Sequence, residues 1–231
     1  MAEDDRKVRA FTVEPVREPG YDAPSRNFIK DDMRAEVEVS SNRCHSLRGA
    51  TDHLHRDLDR IVGGFKLGDI APYRRFLQAS AATVIAIEQL LENAGVAALL
   101  TDWPQRTRRE TILSDLYSLD TQARPLALRR SAPTAPEVFG ILYVLEGSRR
   151  GAQLLLERVL ASDNANVRNA CAYLRTGKPE LWRSFLQQLE THAAADDQTQ
   201  TVSGAVYAYT MFIRSFRQAA VDLRQPAASI C

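Results

Sequence analysis

The stretch SLRGATDHLHRDLDRIVGG (Ser46–Gly64) decides the fold class. Leu47, Ala50, Thr51, Leu54, Leu58, Ile61 and Val62 recur at spacings of three and four, the period of a helix with one buried stripe. Ser46 reads as the N-cap and Gly63-Gly64 as the stop. Downstream the same period returns six times. A second helix runs from about Pro72 to Asn93, with Gly95 just beyond its end. A third lies between Pro104 and Pro125, with Ile112, Leu113, Leu116 and Leu119 inward. A fourth runs from Pro136 to about Leu160, a fifth from Ala165 to Leu174 and a sixth from Pro179 to Ala195. The polar run Asp196–Thr201 reads as a loop before a last helix carrying Val206, Tyr209, Phe212, Ile213 and Phe216. The expected fold class is all-α.

Upstream of this stretch the character changes. Residues 1–43 mix charges of both signs with Pro15, Pro19, Gly20 and Pro24, and are expected to be a mostly disordered extension. Residues 44–225 are expected to form one helical domain. A formal net charge of +1 leaves no electrostatic footprint for nucleic acid or an anionic membrane. No apolar run approaches the roughly 20 residues that span a bilayer. MAEDDRKVRAF at the N-terminus has no apolar core of a secretory signal. Cys44, Cys171 and Cys231 are odd in number and far apart, which fits reduced thiols in a cytoplasm rather than a disulfide framework or a zinc site.

Two places carry candidate chemistry. In the first helix His53 and His55 are separated by about 200° around the axis, so they cannot close on one metal ion. His55 lies at the edge of the apolar stripe beside Thr51 and Val62, where it is either a ligand or an ordinary core-edge histidine. Arg48 precedes it by seven residues, on nearly the same line of the helix.

The fourth helix, PEVFGILYVLEGSRRGAQLLLERVL, places Gly140, Gly147 and Gly151 on one face. Each costs a helix about 1 kcal/mol relative to alanine, so something is expected to approach this backbone closely. A flat ligand and a second helix both satisfy that demand. The glycines also favour a kink near Gly147–Gly151. Tyr143 offers a phenol, and Glu146 is expected to pair with an arginine. Arg149, opposite the glycine line, is expected in solvent. Arg150, about 80° from that line, is placed to crowd the face, to pair with Glu146 or to point outward.

These motifs resemble haem oxygenases. LRGATDHLHRDLD (Leu47–Asp59) is similar to the proximal-helix signature, in which an Ala-Thr pair precedes the haem-ligating histidine. GILYVLEGSRRGAQ (Gly140–Gln153) is similar to the distal-helix signature of the bacterial, biliverdin-producing members. The connecting and C-terminal helices extend the likeness over residues 45–220, and the phytochrome-associated branch is the narrower reading.

The resemblance implies a single-domain fold with haem between a proximal helix and a kinked distal helix. It implies His55 as axial ligand to the haem iron, with Thr51 beside it. Gly147, Gly151 and Ala152 are then the close wall over the opposite haem face, and Gly147, Ser148 and Gly151 the catalytic positions. Arg48 and Tyr143 match positions that meet haem propionates. The implied reaction is cleavage of haem, both substrate and cofactor, to biliverdin, carbon monoxide and ferrous iron. It uses molecular oxygen and electrons from an external ferredoxin or flavin reductase, and a bilin-accepting protein is a further implied partner.

Two departures qualify the match: Arg150 stands where the family usually has leucine, and Ala152 replaces the second glycine of a pair. Ser148 stands where mammalian relatives carry aspartate, a carboxylate that bacterial members can do without. The alternative reading is a non-enzymatic haem- or bilin-binding or signalling protein on the same fold.

Overall fold

A computed structural model describes residues 42–128, 130–192 and 198–224, and among them every regular element is helical. Helix α1 spans Asn42–Gly63 and α2 Ile70–Asn93. A short α3 (Val96–Leu99) and a single 3-10 turn (Trp103–Gln105) lead to α4, Arg109–Ser118. The long α5 is Ala135–Leu160, α6 is Ala165–Asn169, α7 is Pro179–His192 and α8 is Gln198–Arg224. No described helix is long and apolar enough to cross a membrane.

The last helix is the scaffold, since α8 packs along α1, α2 and α5. Its small and apolar residues Ala205, Ala208, Tyr209, Phe212 and Phe216 are all buried. Phe216 meets Phe65 and Phe76 in an aromatic cluster, with ring centroids 5.8 and 5.5 Å away. The tightest contact joins α5 to α8. A methyl on Gly140 would stand 1.9 Å from the Thr201 carbonyl oxygen, and one on Gly204 2.1 Å from that of Glu137. Only glycine lets these two backbones cross so closely. Just before the crossing, Thr134 and Glu137 form a capping box that fixes where α5 starts.

Four sequence expectations change, each for a physical reason. Ser46 is no N-cap, because α1 already begins at Asn42 and Arg43 is tied to Glu190 of α7. The rest of the expected disordered extension lies outside the described residues. The third helix starts at Arg109 rather than near Pro104, because the Glu88 carboxylate accepts hydrogen bonds from the amides of Arg108 (2.7 Å) and Arg109 (3.3 Å). A side chain from α2 thus caps α4, and Leu113 turns outward. The expected helix 165–174 stops at Asn169. Buried Asp115 takes the amides of Ala172 (2.9 Å) and Tyr173 (2.8 Å), which would otherwise serve a helix. Gln198–Thr201, expected in a loop, is the first turn of α8, while residues 196 and 197 lie outside the described residues.

Candidate functional site

The α1 side of the site is ordered by Thr51. It is buried, its hydroxyl donates to the Leu47 carbonyl (2.7 Å), and it acts on the Tyr209 phenol of α8. One turn later stands His55. Its imidazole meets the Tyr209 ring edge-on, with centroids 6.0 Å apart. Its Nδ1 lies 2.9 Å from Asp59 Oδ2, and its side chain is 58% exposed. Bonding through Nδ1 fixes the tautomer and leaves Nε2 without a partner among the described residues. The Asp59 hydrogen bond pushes the imidazole pKa up, partial burial and Arg48 oppose it, and the net shift is upward. His53 is exposed on the outer face, so the two histidines diverge as the helical angle requires.

The α5 side is governed by its glycines, which divide. Gly140 meets α8, as described. Among the described residues, a methyl on Gly147 or Gly151 would meet nothing within 4 Å. One line of small residues therefore serves helix packing at its start and faces open space farther on, where α8 no longer covers it. Helix α5 runs without interruption through both of the later glycines.

Tyr143 precedes this open segment. It is buried against Trp182 of α7, centroids 6.1 Å apart, and burial pushes its phenol pKa up to about 12. Arg150 lays its guanidinium over the same Trp182 ring, 5.6 Å from the centroid. Arg150 does not pair with Glu146. Arg48 is exposed on α1, and both guanidinium charges act on Tyr143 and on Cys44. Tyr143 in turn acts on Tyr209 of α8.

Two other predicted site residues face elsewhere. Ala152 is buried in the core, away from the open glycine face. The Ser148 hydroxyl donates to the Leu145 carbonyl (2.7 Å) and accepts from Arg108 Nη1 (3.0 Å).

Behind the glycine face lies a buried ionic network that sequence reasoning missed. Arg106, fully buried, makes a two-pronged pair with Asp102, at 2.7 Å for each bond. It also reaches Glu146 Oε2 at 3.0 Å. Arg149 reaches the same oxygen at 3.1 Å and donates to the Thr176 and Arg106 carbonyls. Burial, with Arg108 nearby, pulls the Arg149 pKa down to about 10, which leaves it charged at neutral pH. Arg149 is therefore not in solvent. The helical wheel placed it correctly, opposite the glycines, but that side is covered by α7 and by the Leu174–Thr176 turn. The spacings Asp102–Arg106 and Glu146–Arg149 were a local signal. The pairing of Arg106 with Glu146 across forty residues of chain had none. The network braces α5 from behind and so determines which face Gly147 and Gly151 present.

No family model matches the chain. Among curated proteins it is 24% identical over 189 residues to haem oxygenase PigA of Pseudomonas aeruginosa, covering 79% of this chain and 95% of the relative. Among solved structures, it matches the NO- and CO-bound haem oxygenase of Neisseria meningitidis with a TM-score of 0.66. That match has 18% identity and covers 82% of this chain and 94% of the other. The chain has the haem oxygenase fold. Haem oxygenase-1 of the cyanobacterium Synechocystis, solved in complex with haem, matches with a TM-score of 0.61 and 18% identity. It is covered over 94% of its length by 79% of this chain. The all-α class and the family resemblance read from the sequence are both borne out.

Proposed function

We propose that this protein is a haem oxygenase that cleaves haem to biliverdin, carbon monoxide and ferrous iron. The observation that carries the reading is the pairing of two features in that fold: a histidine on α1 whose Nε2 has no partner among the described residues, and a glycine face on α5 where an added methyl would meet no described residue within 4 Å. The residues fit haem on both counts. A neutral imidazole would be a suitable ligand to haem iron. Gly147 and Gly151 form a wall that a flat ring can approach to backbone distance, which any larger side chain would prevent.

In this reading His55 holds the iron through Nε2, and Asp59 keeps Nδ1 protonated and the ring turned. Thr51 and Tyr209 form the floor, with Tyr209 against the imidazole edge. Gly147 and Gly151 line the opposite face, and Ala152 supports them from the core. Ser148 contributes through the fixed Arg108–Ser148–Leu145 chain of hydrogen bonds rather than as a free hydroxyl. Arg48 and Tyr143 meet the propionates. Bound haem supplies the iron at which molecular oxygen is reduced. The electrons come from an external ferredoxin or flavin reductase, and a bilin-accepting protein takes the product. The buried thiol of Cys171 supports a cytoplasmic setting.

The alternative, a haem or bilin binder without activity, rested on Arg150 filling the distal face. Its guanidinium lies on Trp182 instead, which favours the oxygenase. The test is purified protein with haemin, then ascorbate or a ferredoxin system in air. A Soret band followed by biliverdin is expected, and His55→Ala is expected to abolish or shift that band. Haemin binding without biliverdin would refute the activity. An unchanged His55→Ala spectrum would refute the ligand.

A further inference from the structure

Among the described residues, α1 and α5 hardly touch one another, and each packs instead along α8. What fixes the space between them must therefore come from elsewhere. One tie lies where both helices end. Arg158, in the last turn of α5, donates through Nη2 to the Phe65 carbonyl at 2.6 Å. Ser162, just past the helix, donates through Oγ to the Gly68 carbonyl at 2.5 Å. Both acceptors belong to the turn that leaves α1. That turn is itself firmly seated. Phe65 and Leu67 are buried, and the Phe65 ring meets those of Phe76 and Phe216 at 6.5 and 5.8 Å. Ser162 is held in turn by Arg168, whose Nη1 donates to its carbonyl at 2.7 Å.

The place of Arg158 on its helix gives this tie a direction. It follows Gly151 by seven residues and Gly147 by eleven, which puts it within about 20° of both. A side chain on the glycine line thus reaches the turn at the end of α1, so that line is aimed toward the α1 side. Counted back at about 1.5 Å per residue, Gly151 stands about 10 Å before Arg158 on α5, and His55 about 12 Å before the end of α1. The two features of the proposed site therefore lie at matching distances from one joint.

We propose that Arg158, seconded by Ser162, is a positioning residue that sets the width of the slot between α1 and α5. The inference rests on the haem reading above. Arg158 touches no part of the ring. It holds the glycine face at a fixed distance from His55, wide enough for a flat ring and too narrow for a bulky group above that ring.

The test uses the full chain loaded with haemin, as wild type, Arg158→Met, Arg158→Lys and Ser162→Ala. Haemin affinity is titrated by the Soret band. Imidazole and cyanide are then titrated into each ferric complex and read by the Soret shift. Imidazole needs room between the ring and the glycine wall, whereas cyanide is two atoms long and needs little. Arg158→Met keeps the apolar length and loses the donor. It is expected to weaken haemin about fivefold to tenfold, the range of one lost hydrogen bond. The ratio of imidazole affinity to cyanide affinity should rise by a comparable factor, and Ser162→Ala should move it the same way by less. Arg158→Lys keeps a donor on a long side chain and should restore most of the wild-type ratio. A bond that supported only the fold would lower the melting temperature and leave the ratio alone. A wild-type ratio in both Arg158→Met and Ser162→Ala would therefore overturn the proposal while leaving the oxygenase reading intact. Should Arg158→Met not fold, the ratio in Ser162→Ala decides alone. Failure of wild type to bind haemin would instead overturn the oxygenase reading, and this one with it.

Discussion

The division of the α5 glycines can be tested without any ligand, by comparing Gly140→Ala with Gly147→Ala. At Gly140 the new methyl would stand 1.9 Å from Thr201 O and 2.7 Å from Ala205 N, both backbone atoms of α8. Neither can rotate away, so the two helices must separate by more than an ångström at the crossing. A backbone contact this short lies at the upper end of overpacking costs, about 3 kcal/mol. Alanine returns about 1 kcal/mol of helix propensity, so a net destabilisation of about 2 kcal/mol is expected. At Gly147 nothing lies within 4 Å, and the propensity gain stands alone. There the same substitution should stabilise by about 0.5–1 kcal/mol. The two variants therefore move in opposite directions, by about 3 kcal/mol in total, or roughly 6–12 °C in melting temperature for a domain of this size. Urea and thermal unfolding of the apo protein, followed by circular dichroism, measure both. A Gly147→Ala variant as unstable as Gly140→Ala would refute the open face, and a neutral Gly140→Ala would refute the close crossing. Gly147→Leu extends the comparison, because it should fold normally yet lose haemin binding.

Replacing Glu146 with Gln leaves Arg106 and Arg149 buried without their shared carboxylate, and should cost about 3–5 kcal/mol in urea unfolding; Arg149→Met added to it should recover part of the loss, and two strictly additive effects would mean that the pair is not coupled. The His55 pKa is raised by Asp59 from an ordinary value near 6.5. Only the neutral ring can bind iron, so haemin affinity should fall as pH drops through that raised value. Asp59→Asn should move the midpoint to lower pH, and an unmoved midpoint would separate the two residues. For apo stability the sign is opposite: the protonated His55–Asp59 pair contributes below the unfolded pKa, and its contribution is lost as pH rises through the folded one. With the imidazole mostly exposed, that effect should be small, and a proton NMR titration of His55 measures it directly. Asp115→Asn weakens the acceptor of the Ala172 and Tyr173 amides, and hydrogen exchange at those two amides should accelerate while that of α8 is unchanged.

What was legible in the sequence was what local periodicity encodes. The stripe of α1 placed Thr51 inward, and the angle between His53 and His55 separated them correctly, because both depend only on the turn of a helix. The glycine line of α5 was also legible, but its meaning was not. Periodicity could say that something approaches closely, and the structure supplies α8 at Gly140 and open space at Gly147 and Gly151. Arg149 marks where such reasoning stops. A wheel gives direction relative to one helix axis and carries no information on what lies in that direction. Here the polar side of α5 is covered by Arg106, Asp102 and the turn at Thr176, contributed from far along the chain. The helix ends misjudged from sequence share this cause, since Glu88 and Asp115 bond to the backbone amides of distant segments.

These long-range bonds also bear on function. A wall of glycines is weak as a helix and has no side chains to hold it in place. Its orientation must therefore be imposed from behind, and in this protein Glu146, Ser148 and Arg149 of the same motif do so through Arg106 and Arg108. The motif from Glu146 to Gly151 then reads as two interleaved sets. Its charged and hydroxyl members fasten the helix to the core, and its glycines remain bare of described neighbours on the side of the proposed site. If that division is right, Glu146→Gln should lower haemin affinity as well as stability, although Glu146 is buried on the opposite side of the helix from the proposed site. Haemin titration of folded Glu146→Gln at low temperature is the measurement. Wild-type affinity in that variant would mean that the network supports the fold alone and does not orient the glycine face.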